Sequence, residues 1–207
     1  MSQPLRIGVF GGAFDPPHLA HVALVQTAIA QLQLDEVRVL PTGQAWHKAK
    51  TLTEAAHRLA MTHLAFDDVP QVVVDGREIK RFGPTYTVDT LQELMQERPH
   101  NQLYLLIGDD QRRSLHSWRR IEDIARLAII CAADRDPDVG AWSEAHLTGP
   151  TIEALFTLPI HPLHMPLMPL SATDIRQRIA QHQPIEGLVP AEVERYIHEH
   201  HLYRPHP

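Results

Sequence analysis

A chain of 207 residues with 43% hydrophobic and 21% charged side chains can bury a substantial core and has the composition of an ordinary soluble globular protein. Its net charge of −6, with no evident basic stripe, excludes sequence-independent nucleic-acid binding as an expectation. No apolar run is long enough to span a bilayer, Met1-Ser2-Gln3-Pro4 lacks the basic start of a signal peptide, and a single cysteine, Cys131, fits a reducing compartment. The expectation is therefore a cytoplasmic protein with no membrane and no nucleic-acid partner.

Leu5–Phe10 reads as a first strand. Gly11-Gly12-Ala13-Phe14-Asp15-Pro16-Pro17-His18-Leu19-Ala20-His21 follows, and Val22, Val25, Ile29 and Leu32 then repeat at helical spacing to about residue 33. Glu36–Leu40 alternates as a second strand, and residues 41 to 52 lack periodicity and read as a loop. Thr53–Phe66 is predicted helical with Thr53 as N-cap, Gln71–Asp75 is a short β-branched strand, and Thr87–Glu97 is a helix stopped before Pro99. Leu103–Ile107 is a fourth strand, Arg119–Arg126 a short helix, and Leu127–Ala132 a fifth strand that places Cys131 in the core. Residues 134 to 170 carry six prolines and read as a loop-rich connection, with a strand near Leu155–Ile160 and a short helix before it. Ser171 should cap a helix to about His182, with Asp174 reaching back as a capping-box acid, and Pro190 should open a last helix to about His201.

This alternation predicts an α/β, Rossmann-like fold: an open, mostly parallel sheet with helices on both faces, followed by a small C-terminal helical part. A single domain over residues 1–207 is expected, with a core at about 5–165 and C-terminal helices at about 171–204. Such sheets bind ligands beyond the carboxyl ends of their strands. The glycine turn after strand one, the loop after strand two and the Gly108-Asp109-Asp110 corner after strand four all fall at that edge.

Strand, glycine turn and helix start together form an anion site, because free N–H groups and the helix dipole point at it. The segment is neither a Walker A loop, since no Gly-Lys-Ser/Thr follows, nor the three-glycine dinucleotide pattern. His18 and His21, three positions apart, share one face at the helix start. A bare His-x-x-His pair can be incidental or a metal pair; directly after Gly-Gly-x-Phe-Asp-Pro it points to phosphate chemistry. Fifteen histidines are many, and His198, His200, His201 and His206 cluster near the end. A metal-binding tail and a solvated helix end both remain open there, and the lack of stereotyped ligand spacing favours the second.

Gly11-Gly12-x-Phe14-Asp15-Pro16-x-His18-x-x-His21 resembles the signature of the nucleotidyltransferases with the His-x-Gly-His motif. Glu78 to Leu91, containing Pro84-Thr85-Tyr86-Thr87, resembles a segment of bacterial nicotinate mononucleotide adenylyltransferases, as do Ile107-Gly108-Asp109-Asp110 with Trp118, Leu170-Ser171-Ala172-Thr173-Asp174-Ile175-Arg176, and the closing Leu202-Tyr203-Arg204. The resemblance spans residues 6 to 204. It implies an enzyme of pyridine-nucleotide (NAD) biosynthesis that joins ATP to nicotinate mononucleotide and releases pyrophosphate.

Under that resemblance, His18, His21 and Arg176 are the catalytic residues, donating to the ATP phosphates as charge builds on departing pyrophosphate. Gly11, Gly12, Ala13, Phe14, Asp15, Gly108, Asp110, Ser171 and Thr173 would surround ATP, with Asp110 on a ribose hydroxyl. Lys48 is either a further phosphate contact or a solvated loop lysine. Thr85, Tyr86, Thr87 and Trp118 would take nicotinate mononucleotide, with N–H groups on its carboxylate and the indole on its ring; a helix cap and a core tryptophan are the alternatives. Glu78 and Arg81 are expected to pair with each other. Mg²⁺ would be held by substrate phosphates and water, so no protein metal ligand is named. The chain departs from the pattern at Ala13, where threonine is usual, at Ala20, where glycine is usual, and after strand five, where Arg135 is out of register. Nicotinamide mononucleotide and phosphopantetheine adenylyltransferases, cytidylyltransferases and a non-catalytic nucleotide-binding module are the competing readings.

Overall fold

The computed structural model describes residues 3–43, 52–134, 160–166 and 168–204. Six strands form one sheet: β1 Arg6–Gly12, β2 Glu36–Pro41, β3 Val72–Val74, β4 Gln102–Ile107, β5 Ala128–Asp134 and β6 Ile160–His164. Their order is β3-β2-β1-β4-β5-β6, and every neighbouring pair is parallel. The chain first winds outward from β1 to β3, then returns to β4 on the other side of β1. That reversal opens a crevice between the carboxyl ends of β1 and β4, where doubly wound sheets take their ligands.

Strand residues alternate between two apolar layers because successive side chains point to opposite faces. Phe10, Val37, Val39, Tyr104, Leu106, Cys131 and Leu163 belong to one layer, with α1 (Leu19–Leu32) and α2 (Ala55–Phe66). Ile7, Val9, Leu103, Leu105, Ile107 and Ile130 belong to the other, with α4 (Thr87–Glu97) and α6 (Ile121–Leu127). The C-terminal helices α7 (Ala172–Ala180) and α8 (Ala191–Glu199) add Ile175, Ile179, Val193 and Ile197 to the first layer. They thus share a core with the sheet rather than forming one of their own. Cys131 is fully buried, and burial pushes its thiol up to about 12, so it stays protonated.

Several local expectations shift. Helix α2 begins at Ala55 with Glu54 as N-cap, so Thr53 does not cap it; its amide and carbonyl are used instead, as described below. Two short helices lacked a sequence signal: α3 (Arg77–Lys80) and α5 (Asp109–Ser114), the latter running into a 3₁₀ turn at Leu115–Ser117. A strand stands at Ile160–His164, overlapping the one expected near Leu155–Ile160 at Ile160 alone; residues 155–159 and the short helix expected before them lie outside the described residues. Pro162 is tolerated in β6 because, among the described residues, that strand pairs with β5 alone and forms the edge of the sheet. Ser171 caps α7 by accepting from the Asp174 amide at 3.1 Å, which forms one half of the anticipated box. No described helix is long and apolar enough to cross a membrane.

Candidate active site

Two clefts open at the carboxyl edge of the sheet. The larger, about 570 Å³, is walled by the β1 end, the start of α1, the Gly108 corner and the entry to α7. It gathers Gly11, Gly12, Ala13, Phe14, Asp15, His18, His21, Gly108, Asp110, Ser171, Thr173 and Arg176, which come from three stretches more than sixty residues apart. The smaller, about 150 Å³, holds Thr85, Tyr86, Thr87 and Trp118. Gly11 and Gln111 line both. Lys48 and Arg135 lie outside the described residues.

The two glycines differ in purpose. A Cβ on Gly12 would stand 2.9 Å from the Phe14 ring, so Gly12 makes room for that ring. A Cβ on Gly11 would meet nothing within 4 Å, so its missing side chain keeps the mouth of both clefts open. Phe14 adopts φ 47, a left-handed conformation that costs a non-glycine residue on the order of 1 kcal/mol. Burial of its ring offsets this: it packs edge-on against Phe10 at 5.4 Å, His21 at 5.2 Å and Phe66 at 6.0 Å. Phe14 therefore backs the His21 ring from inside the core.

His18 is the N-cap of α1 and His21 its third residue. Their rings stack with centroids 3.6 Å apart. The His18 amide donates to His21 Nδ1 at 3.1 Å. With Nδ1 accepting, the neutral His21 ring carries its proton on Nε2, which makes that nitrogen a donor. The helix N-terminus is less open than its sequence suggests, since the Leu19 amide already donates to the Leu188 carbonyl at 3.0 Å. Side-chain donors therefore matter more here than the bare helix end. Arg176 supplies another: its Nη1 holds the Asp15 carbonyl at 2.5 Å and its Nη2 the Thr173 hydroxyl at 3.2 Å.

Asp15 borders the larger cleft, but the residue is only 4% exposed and its carboxylate is already occupied. It accepts from the Thr53 amide at 3.2 Å and from the Tyr203 hydroxyl at 2.7 Å. Burial and the adjacent Asp15 charge push the Tyr203 phenol well above its usual range, so it remains the donor. Sequence reasoning missed the neighbouring Arg58, which is 2% exposed. Its guanidinium binds the carbonyls of Thr53 at 2.9 Å, Ala13 at 3.0 Å, Thr42 at 2.7 Å and Gly43 at 3.4 Å. Burial lowers its pKa and the Asp15 charge opposes that shift. Arg58 thus ties the glycine turn to both flanks of the segment between β2 and α2. Nothing in the local sequence distinguishes it from a surface arginine on a helix.

The smaller cleft has a different character. Tyr86 is the N-cap of α4, so residues 85 to 87 present a helix start to the cavity. The Thr85 hydroxyl is buried without a hydrogen-bond partner. Such an orphaned group costs about 1–3 kcal/mol unless a ligand satisfies it. A Cβ on Gly43 would lie 3.0 Å from that oxygen and 2.2 Å from the Glu78 carbonyl, so only glycine fits behind it. Arg119 stacks its guanidinium over the Tyr86 ring at 4.5 Å, fixing the rim beside Trp118. Glu78 and Arg81 do not pair directly as expected. The Thr90 hydroxyl donates to Glu78 at 2.7 Å and accepts from Arg81 at 3.2 Å, while Arg81 forms its ion pair with Glu93 at 2.7 Å. Burial raises Glu78 to about 7 despite the Thr90 bond.

Among the described residues no group of three or more histidines, cysteines or carboxylates could cage a metal. The larger cleft offers one open carboxylate, the exposed Asp110, against two imidazoles and a guanidinium. That donor set suits an anion, and a divalent cation would have to arrive with the phosphates rather than be caged by these side chains. Of the C-terminal histidines, His200 packs 5.1 Å from His57 of α2, which shares a 2.9 Å hydrogen bond with Tyr196. His206 lies outside the described residues.

The cytidylyltransferase-like family model matches residues 9–178. A protein of Albidiferax ferrireducens named "Probable nicotinate-nucleotide adenylyltransferase" is 52% identical over 199 residues, covering 96% of this chain and 98% of the relative. One of the same name from Bordetella avium is 43% identical over 203 residues, covering 97% and 98%. Among solved structures, Plasmodium falciparum nicotinic acid mononucleotide adenylyltransferase complexed with NaAD matches with a TM-score of 0.73 at 21% identity, over 96% of this chain and 97% of that one. At that identity the match speaks for the fold, and the Rossmann-like order of the sheet agrees with it. The glycine turn, the His18–His21 pair and the near full-length identity lead to one assignment: this chain belongs to the nicotinate-nucleotide adenylyltransferases of the cytidylyltransferase-like family.

Proposed function

We propose that this enzyme transfers the adenylyl group of ATP to nicotinate mononucleotide, giving nicotinate adenine dinucleotide and pyrophosphate. The observation that carries the reading is the pair of clefts meeting at Gly11 and Gln111, one lined by cationic donors and one by hydroxyls and aromatics. ATP occupies the larger, with its phosphates among His18, His21 and Arg176 and its ribose near Asp110. The mononucleotide ring occupies the smaller, against Trp118, with its carboxylate on Thr85 and the start of α4. A mononucleotide phosphate oxygen attacks the α-phosphorus; the bond from that phosphorus to the bridging oxygen breaks, and pyrophosphate leaves with the electron pair. No protein nucleophile is required, and the protein contributes position and charge neutralisation. Mg²⁺ bound with the substrate would supply further charge neutralisation. The cytoplasm is the proposed location.

The Arg119 cation favours the acid over the amide, because the acid brings a negative charge, while the orphaned Thr85 hydroxyl can bond to either group. The test is product identity: the protein is incubated with ATP, Mg²⁺ and either mononucleotide. Nicotinate adenine dinucleotide and pyrophosphate should appear in equal amounts, with the amide turned over far more slowly. Faster turnover of the amide, or no pyrophosphate with the acid, would overturn the assignment.

A further inference from the structure

If ATP and a mononucleotide occupy separate clefts, the attacking oxygen and the α-phosphorus meet only where the clefts join. Reacting atoms must approach to about 3–3.5 Å before displacement begins. Gly11 and Gln111 are the two described residues that line both clefts, and Gly11 has no side chain. Gln111 therefore presents the one described side chain common to both.

Its amide is already oriented. Gln111 Oε1 accepts from the Gly108 amide at 3.1 Å, which fixes oxygen on that side and nitrogen on the other. Nε2 carries two hydrogens, and its contact among the described residues is a long one, 3.4 Å to the Gly11 carbonyl. A bond of that length lies beyond the usual N–H···O range and is readily exchanged for a charged acceptor. The donor is thus held in place by one firm bond and left underused at the junction where phosphate must arrive.

We propose that Gln111 is a further catalytic residue, donating from Nε2 to the phosphate oxygens at the reacting phosphorus. The proposal rests on the assignment of substrates to clefts above. As the new phosphorus–oxygen bond forms and the bond to pyrophosphate breaks, negative charge gathers on the oxygens around phosphorus. A fixed donor there stabilises the transition state more than the ground state. Gln111 neither gains nor loses a proton, since the attacking phosphate is already ionised.

Two variants separate this role from a structural one. Gln111→Glu keeps an oxygen to accept from Gly108 and loses the donor; Gln111→Met loses both. Initial rates are measured with ATP and nicotinate mononucleotide, together with melting temperatures and ATP affinity without the second substrate. Both variants should lose kcat, Gln111→Met on the order of 100-fold and Gln111→Glu at least as much. Gln111→Glu should melt with the parent protein, and Gln111→Met should bind ATP within about threefold of it. Parent-like kcat in Gln111→Glu, or a kcat within about twofold of the parent in Gln111→Met, would overturn the proposal. Failure of the parent protein to make dinucleotide from ATP and nicotinate mononucleotide would instead overturn the underlying assignment, and Gln111 with it.

Discussion

The two clefts share an edge and two residues but solve opposite problems. The larger gathers cationic or potentially cationic side chains, His18, His21 and Arg176, around an open volume of about 570 Å³. The smaller, about 150 Å³, relies on a helix start, an unsatisfied hydroxyl, an indole and a guanidinium held on a tyrosine ring. A triphosphate is recognised by charge and tolerates flexible reach; a planar ring with one carboxylate is recognised by shape and a few fixed donors. Mutations in the first region should therefore act mainly on turnover and ATP, and those in the second mainly on the mononucleotide.

The largest effect is expected at His18. Under the proposed assignment His18→Ala removes a donor to the departing pyrophosphate and should lower kcat by about 10²–10³-fold, with a much smaller change in ATP affinity. Steady-state rates set beside ATP binding check this. Equal loss in both quantities would favour a nucleotide-binding module over an enzyme. Arg58→Met comes next but breaks the scaffold rather than the chemistry. It leaves the carbonyls of Thr53, Ala13 and Thr42 without their buried donor and should cost about 2–4 kcal/mol of stability in denaturant unfolding. An unfolding free energy equal to the parent's would contradict the tie assigned to Arg58.

Thr85→Val sharpens the contrast between clefts. The change is nearly isosteric and removes an unpartnered buried hydroxyl, so the free protein should become no less stable. The KM for nicotinate mononucleotide should rise by about tenfold while the KM for ATP stays put. A rise in both would mean that the two clefts are not independent. The smallest effect concerns Glu78, whose pKa is raised from 4.5 to about 7 in the folded protein. Between those values the native state binds more protons than the unfolded chain, so stability from this group is complete below 4.5 and lost as pH rises through about 7. Melting temperatures at about pH 5 and about pH 8 should fall further with rising pH in the parent than in Glu78→Gln. Identical slopes would contradict that assignment.

What the sequence disclosed depended on how local the cause was. His18 and His21 follow the glycine turn at a predicted strand end, so their place at the ligand edge followed from the βα alternation; Arg176, beyond the loop-rich 134–170 stretch, was brought there only by its motif's resemblance. The buried strands announced themselves as apolar runs. Helix α5, Asp-Asp-Gln-Arg-Arg-Ser, has no apolar period to read, so Gln111 stood in what looked like a polar corner. Arg58 and Tyr203 acquire their roles from carbonyls and a carboxylate many residues away, and composition carries no trace of such partners. Asp15 was read as a cleft residue, which its position supports, yet its carboxylate faces Thr53 and Tyr203. Gly12 read as a phosphate-loop glycine and lines the larger cleft, and the ring of Phe14 gives it a second constraint that the sequence did not show.

The claim that both clefts are filled at once, with direct transfer between them, is tested most directly by an initial-rate matrix in which ATP and nicotinate mononucleotide are varied together. Direct transfer predicts double-reciprocal lines that intersect, because no product leaves before both substrates are bound. Parallel lines, the mark of an adenylylated enzyme formed before the mononucleotide arrives, would contradict it.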